Sequence, residues 1–415
     1  MRNTTIRAVN RLTARWAEQA VTGDDGTVLT AAGVWPLLAL LADGAAGPAR
    51  EELSEALGIS AGSAAGAARE LLAGLSGVRG LQAATGLWTR QDLPLEQRWL
   101  DALPDGSRGL LSGDADTDGK ALDAWAAERT DGLIERMPVA FPPPPGRLEL
   151  VLASALTTRL RWIRPFTPRP FEPYEGPWAG RILSGLHRST SLLDRVRVAR
   201  TPAGPVTVLE VVGDGGVDVH LVLGEPDAAP GRVVSAGISV VTRAAPATGA
   251  SLLPEGTPGP GLRIETVRSP DPEPWLHVST VAFEVSAEHD LLRHAGLFGL
   301  TTASDANRGH FPAISSEPLA VGGARQSAMA RFHAEGFEAA AVTAFGAVGC
   351  AMPRYRYRIR RARVSFDRPF AFLAVHRTSS LVLAAGWVTD PLPYEEPEEH
   401  DGYDEYEDDE GSEDF

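Results

Sequence analysis

Along residues 5–20, Ile6, Val9, Leu12, Trp16 and Ala20 recur at helical spacing and draw a single apolar stripe. Pro36 then stands at the predicted first turn of a very apolar helix, LLALLADGA, with Gly44 placed to end it. Pro48 opens another helix, PAREELSEALG, that Gly58 closes, and a small-residue helix over 63–75 follows. The strand-like run GLQAATGLWTR (80–90) comes next. Residues 119–136 predict an amphipathic helix carrying Leu122, Trp125, Ala126 and, after Gly132, Leu133.

The period changes further on. PVAFPPPPG (138–146) cannot form regular structure, and VLASALTT (151–158) reads as a strand. VTVLEVV and VDVHLVLG flank GDGG within 206–224, two β-branched runs about a Gly-rich turn, which predicts a hairpin. Residues 275–286 predict a strand, 287–299 a helix, and PFAFLAVHR with LVLAAGWV (369–388) two closing strands. Helices first and strands later is an α+β pattern.

One stretch stands out against this background. Residues 334–351, AEGFEAAAVTAFGAVGCA, are small and nearly uncharged, and they lie between strand-like QSAMARFH (326–333) and RARVSF (361–366). The composition fits an Ala-rich helix. It also fits a loop composed so that Ala339, Ala340, Ala341, Val342 and Thr343 can enter a sheet.

The net charge of −15 belongs to one segment. Of the 54 acids, thirteen lie in 395–415, which has no Lys or Arg, leaving 41 acids against 39 basic residues and a net charge of −2 elsewhere. Residues 392–415 therefore read as a disordered acidic tail, and no broad basic signal points to nucleic acid. One Cys, Cys350, excludes an internal disulfide framework. The opening sequence MRNTTIRAVNRLTARWAEQ has no apolar signal region and no run is long enough to cross a membrane as a helix, so the expectation is a soluble cytoplasmic protein.

Catalytic motifs are missing from the sequence: no pair of His at metal-ligand spacing, no nucleophile elbow, no phosphate loop. A Cys350 nucleophile paired with His310 or His333 would lack a third orienting group, so the residues do not argue for an enzyme.

Six segments in order resemble the serpin family. DAWAAERTDGLI (123–134) is similar to its N-x-W-V-x-x-x-T-x-G-x-I helix through Trp125, Thr130, Gly132 and Ile134. ASALTTRLRWIRPF (153–166) keeps Ala155, Leu156, Trp162, Pro165 and Phe166 of N-A-L-Y-F-K-G-x-W-x-x-P-F. HFPAIS (310–315) stands where the family has D-F-S-G-I-S. AEGFEAAAVT (334–343) resembles the E-E-G-T-E-A-A-A-A-T hinge. FDRPFAF (366–372) and LVLAAGWVTDP (381–391) resemble its closing strands.

The resemblance implies one serpin-like domain over 1–391, with several helices, a large mostly antiparallel sheet, two smaller sheets and a long exposed reactive loop at about 336–360. It implies a monomer, located outside the cell, that inhibits serine or cysteine proteases without cofactor, metal, nucleic acid or membrane. A target protease cuts the loop, is held as an acyl-enzyme, and is dragged away as the hinge inserts as a new strand. The implied hinge is Glu335, Gly336, Phe337, Glu338, Ala339, Ala340, Ala341, Val342 and Thr343, and the sheet-opening residues are Ser154, Trp162 and Gln326. Strand parity would turn Phe337, Ala339, Ala341 and Thr343 to one face. The second reading is a serpin-fold binding or structural protein, cut as a plain substrate.

Several positions depart from the family pattern. Phe337 replaces Thr or Ser, Gln326 a His, Ser154 an Asn, and Val34-Trp35-Pro36-Leu37-Leu38-Ala39 the family's F-S-P-x-S-I. Burying Phe337 would favour insertion by about 1.5–3 kcal/mol where the gap admits it, and would cost about 1–3 kcal/mol where it overpacks. Family spacing from Gly336 puts the reactive bond at Cys350–Ala351, whereas counting back from Pro369 lands near Arg358. PRYRYRIRRAR (353–363) therefore has two readings, a strand with one charged face or an arginine bait.

Overall fold

A computed structural model describes residues 1–142, 146, 148–337 and 355–396, with Phe337 described in its backbone alone. Four helices, Asn3–Ala20, Ala31–Gly44, Gly47–Leu57 and Ala61–Ser76, open the chain. The second is apolar on every side, and it is buried throughout except at Asp43. It packs on Ala61–Ser76 and on strands Leu81–Arg90, Leu150–Thr158 and Leu381–Val388. Its start differs from the expectation: it begins at Ala31, so Pro36 lies inside it. Long-range hydrogen bonds to the Thr30 backbone (below) fix the first turn, and they override the proline signal.

Two other helix readings are corrected. The predicted 119–136 helix runs instead over Ala115–Arg129, begun by Asp114, whose carboxylate accepts the Thr117 N–H at 2.9 Å. It stops where Asp131 and Gly132 take left-handed φ of 50° and 78°. Residues 287–290 are strand and not helix, because Ala287–Asp290 stay in register with Arg325–Ala328. Only a 3-10 turn, Leu291–His294, and one helical turn, Ala295–Phe298, follow.

The strands form an α+β fold with a seven-stranded antiparallel sheet and two smaller mixed sheets. The large sheet contains the predicted hairpin, Gly204–Val212 with Val217–Leu223, and the closing strands Phe370–His376 and Leu381–Val388. The predicted 275–286 strand is two strands, divided at Ala282 between the two smaller sheets: Trp275–Val281 and Phe283–Asp290. The five-stranded sheet runs Phe283–Asp290, Gly323–Phe332, Leu150–Thr158, Leu81–Arg90, Arg108–Leu111.

The six-stranded sheet places Tyr357–Ser365 between Leu262–Ser269, antiparallel, and Trp275–Val281, parallel. Arg358–Arg363 therefore belong to an interior strand of this sheet.

Candidate functional site

The strands Gly323–Phe332 and Leu150–Thr158 run parallel, in register from Gly323 opposite Val151 to Ala328 opposite Leu156. There the ladder stops. On its other edge the Gly323 strand stays paired as far as Phe332 opposite Phe283. Met329–Phe332 thus have a neighbour on one side and diverge from the Leu150 strand on the other.

Into this divergence the chain turns back on itself. His333 donates its N–H to Gly336 O at 2.9 Å, and Gly336 and Phe337 pair antiparallel with Arg161 and Leu160. Trp162 fixes the turn twice, its backbone N–H on Glu335 O at 2.8 Å and its indole N–H on His333 O at 2.9 Å. Phe166 N–H adds a bond to Ala334 O at 2.8 Å. Only glycine fits at 336, because a Cβ there would lie 2.1 Å from Leu160 O. Beneath the turn, Phe332 packs against Trp162 at 4.9 Å, Phe166 at 5.8 Å and, stacked, Phe283 at 5.3 Å between ring centroids.

Two cross-strand ion pairs, Arg325–Asp290 at 3.0 Å and Arg331–Glu284 at 2.9 Å, tie the Gly323 strand to Phe283–Asp290. The Leu150–Thr158 strand has no charged residue at all, so no ion pair can cross the seam between the parallel strands. Charge makes the Gly323 and Phe283 strands one unit and leaves the seam as the weaker join.

Mid-seam, Gln326 stands opposite Ser154, both fully buried. The Gln326 amide accepts the Thr30 N–H at 2.9 Å and donates to Thr30 O at 2.8 Å. Next along, His289 Nε2–H donates to Val28 O at 2.8 Å, which places its proton on Nε2. Burial lowers the His289 pKa and keeps the ring neutral. The helix that starts at Ala31 therefore hangs on the Gly323 and Phe283 strands. It meets Ser154 through Gly33, where a Cβ would lie 2.2 Å from Ser154 Oγ. Ser154 Oγ and Thr30 Oγ1 are buried without a partner among the described residues.

Ser154 and Gln326 thus come together, while Trp162 sits at the open end of the same seam with Glu335 and Gly336. Glu338, Ala339, Ala340, Ala341, Val342, Thr343, Cys350 and Ala351 lie outside the described residues. The sequence reading missed Thr30, Gly33 and His289. Gly33 carried a signal, a glycine within the small run AAG ahead of an apolar helix.

Comparison with known proteins agrees with this geometry. The family model described as "Serpin (serine protease inhibitor)" matches residues 7–175 and 264–391. Rice (Oryza sativa subsp. japonica) serpin-Z6C is 29% identical over 289 residues, 66% of this chain and 64% of that protein. Serpin-Z2B of the same plant is 25% identical over 93% of this chain and 96% of its own length. Among solved structures, Serpin48 of the insect Tenebrio molitor superposes with a TM-score of 0.69 at 19% identity, covering 93% of this chain and 98% of that one. Human thyroxine-binding globulin, complexed with thyroxine, gives 0.70 at 16% identity over 94% and 98%. The chain belongs to the serpin family.

Proposed function

We propose that this protein inhibits serine proteases, with cysteine proteases as the second class, by offering the segment between Phe337 and Tyr355 as bait and then inserting its first part as a new strand. The observation that carries the reading is the antiparallel start already made at Gly336–Phe337, aimed between two parallel strands that have parted. A strand continued from there would run antiparallel to both neighbours and replace one slanted parallel ladder with two antiparallel ones. Roughly fourteen residues at about 3.3 Å each would span some 45 Å.

The far end of the loop explains why a cut is required. Tyr357–Ser365 is hydrogen-bonded on both edges, so an intact chain cannot feed residues into the seam without stripping that strand. Cleavage at Cys350–Ala351 would release them while the protease is still attached to the inserting part. Incubation with a panel of proteases should give a complex resistant to SDS, with a released peptide beginning at Ala351 by mass spectrometry. Cleavage by every protease without any covalent complex would sink the inhibitory reading.

A second reading is a non-inhibitory protein of this fold cut as a plain substrate, and it is favoured by Phe337, which stands where the family pattern has Thr or Ser. Gly336→Ala tests the return strand within the inhibitory reading. Its Cβ would collide with Leu160 O and expel the start of the return strand. For an inhibitor, the melting temperature should change by no more than ~2 °C while the ratio of cleaved to complexed inhibitor rises about tenfold or more, on gels run at equal protease. A ratio that does not move removes Gly336 from the mechanism.

A further inference from the structure

One sheet combines several arginines with almost no acid. The six strands Gly256–Gly259, Leu262–Ser269, Tyr357–Ser365, Trp275–Val281, Leu183–Thr190 and Thr167–Phe171 carry eight Arg and one acid, Glu265. Four of the eight lie off the outer face by register: Arg188, 4.4 Å over the Phe166 ring, Arg360, which donates to Ala250 O and Leu253 O, and the opposed pair Arg268 and Arg358. Arg263, Arg361, Arg363 and Arg169 share the outer face. Register puts Arg263, Arg363, His277 and Ser189 in one row, with Glu265, Arg361 and Trp275 in the next. Arg169 lies opposite Gly185, two residues from His187 on the same face. Glu265 is shared between Arg361 at 2.6 Å and Arg363 at 3.9 Å, so the face keeps a surplus of positive charge.

The missing countercharge is in the same chain. Thirteen acids lie in 395–415, and that segment leaves the fold beside this sheet. Pro393 bridges to Leu183 at the start of the Leu183–Thr190 strand, and Tyr394 N–H bonds to Ile182 O at 3.1 Å. From the level of Leu183 to that of Arg363 is about six residues along the strands and two strands across, roughly 20 Å by 10 Å. Residues 396–415, extended, reach about 65 Å. Leu392–Tyr394 run antiparallel to Ile182–Ser184, so the chain leaves heading away from Arg169 and must turn back over the sheet, and the length is ample for that turn.

We propose that residues 395–415 dock onto the arginine-rich outer face of the six-stranded sheet of the same molecule. The histidines on that face respond to the same field. Burial and the neighbouring Arg169 lower the pKa of both rings, with His277 also depressing His187 and Arg363 also depressing His277, and a chain of carboxylates laid over them would oppose those charge effects. Occupied in this way, the face is closed to other polyanions. It opens as salt rises, because exposed charge pairs are individually weak and screened.

The test uses the full chain with Cys350→Ser, and Pro170→Cys and Ser412→Cys as sites for a fluorescent donor and acceptor. Energy transfer should be high at ~20 mM NaCl, where the Debye length is about 20 Å, and fall at least twofold at ~500 mM, where it is about 4 Å. The triple variant Arg169→Gln, Arg263→Gln, Arg363→Gln, checked for folding by its melting temperature, should show the high-salt value at low salt. Replacing Glu405, Glu407, Asp408, Asp409 and Glu410 by their amides should do the same without touching the folded body. Transfer indifferent to salt and to both variants overturns the proposal. So does transfer that arises only between singly labelled copies mixed together, which would place the contact between molecules.

Discussion

Cutting the bait segment between Phe337 and Tyr355 should raise the melting temperature of this serpin by roughly 15 °C. The seam between Gly323–Phe332 and Leu150–Thr158 is held by six register pairs, Gly323–Ala328 against Val151–Leu156, and Ser154 Oγ has no partner there among the described residues. A strand inserted there forms ladders with both neighbours, for a net gain of about a dozen backbone hydrogen bonds. At about 1 kcal/mol net for each, the gain is of order 12 kcal/mol. Unfolding entropy near 2.1 cal/mol/K per residue, or ~0.8 kcal/mol/K for a body of this size, converts that to about 15 °C. Small side chains at 339–341 would let the proposed strand enter without overpacking, and Phe337 would set how far the gain falls below the ideal. Differential scanning calorimetry of intact and nicked protein reads the effect directly. Co-melting of the two forms would mean that the strand never enters.

What was legible in the sequence was what local pattern and motif order can carry. Ile6, Val9, Leu12 and Trp16 marked a helix, the runs around GDGG a hairpin, and the hinge segment a family. What was not legible depended on partners distant along the chain. Gln326 reads as an ordinary polar residue at an interior strand position, and its importance lies in Thr30, 296 positions away. The same bond decides where the second helix begins, so Pro36, a good local signal, misplaced it. Ala287–Asp290 have helical composition but are captured by the neighbouring strand, whose demand for pairing outweighs a propensity of a few tenths of a kcal/mol per residue. The run 353–363 was half legible. Alternation showed a charged strand, but its second neighbour, Leu262–Ser269, lay in a stretch that went unread although L-R-I-E alternates as a strand should. Arg169, Arg263, Arg361 and Arg363, on three strands, look like background in the linear sequence and become one face only when the register assembles them.

Gln326→Leu should lower the stability of the intact protein by about 2–4 kcal/mol, a fall in melting temperature of about 3–5 °C. Leu nearly keeps the volume, so the loss isolates the hydrogen bonds from any cavity. Thr30 N–H would be left without its acceptor in a fully buried position, and Thr30 O would keep only the 3.3 Å bond from Gly33 N–H. The effect on the cleaved form distinguishes two roles for this amide. The helix that starts at Ala31 touches both sides of the seam, bonded to the Gly323 strand through Gln326 but only abutting the Leu150 strand, where Gly33 has no side chain to catch on Ser154. When the strands part, the helix should therefore travel with the Gly323 strand and slide over Ser154, keeping the Gln326–Thr30 bonds in both forms. The expected result is an equal loss in intact and cleaved protein, with the difference between their melting temperatures unchanged. A loss confined to the intact form would show instead that these two bonds are the latch that insertion must break.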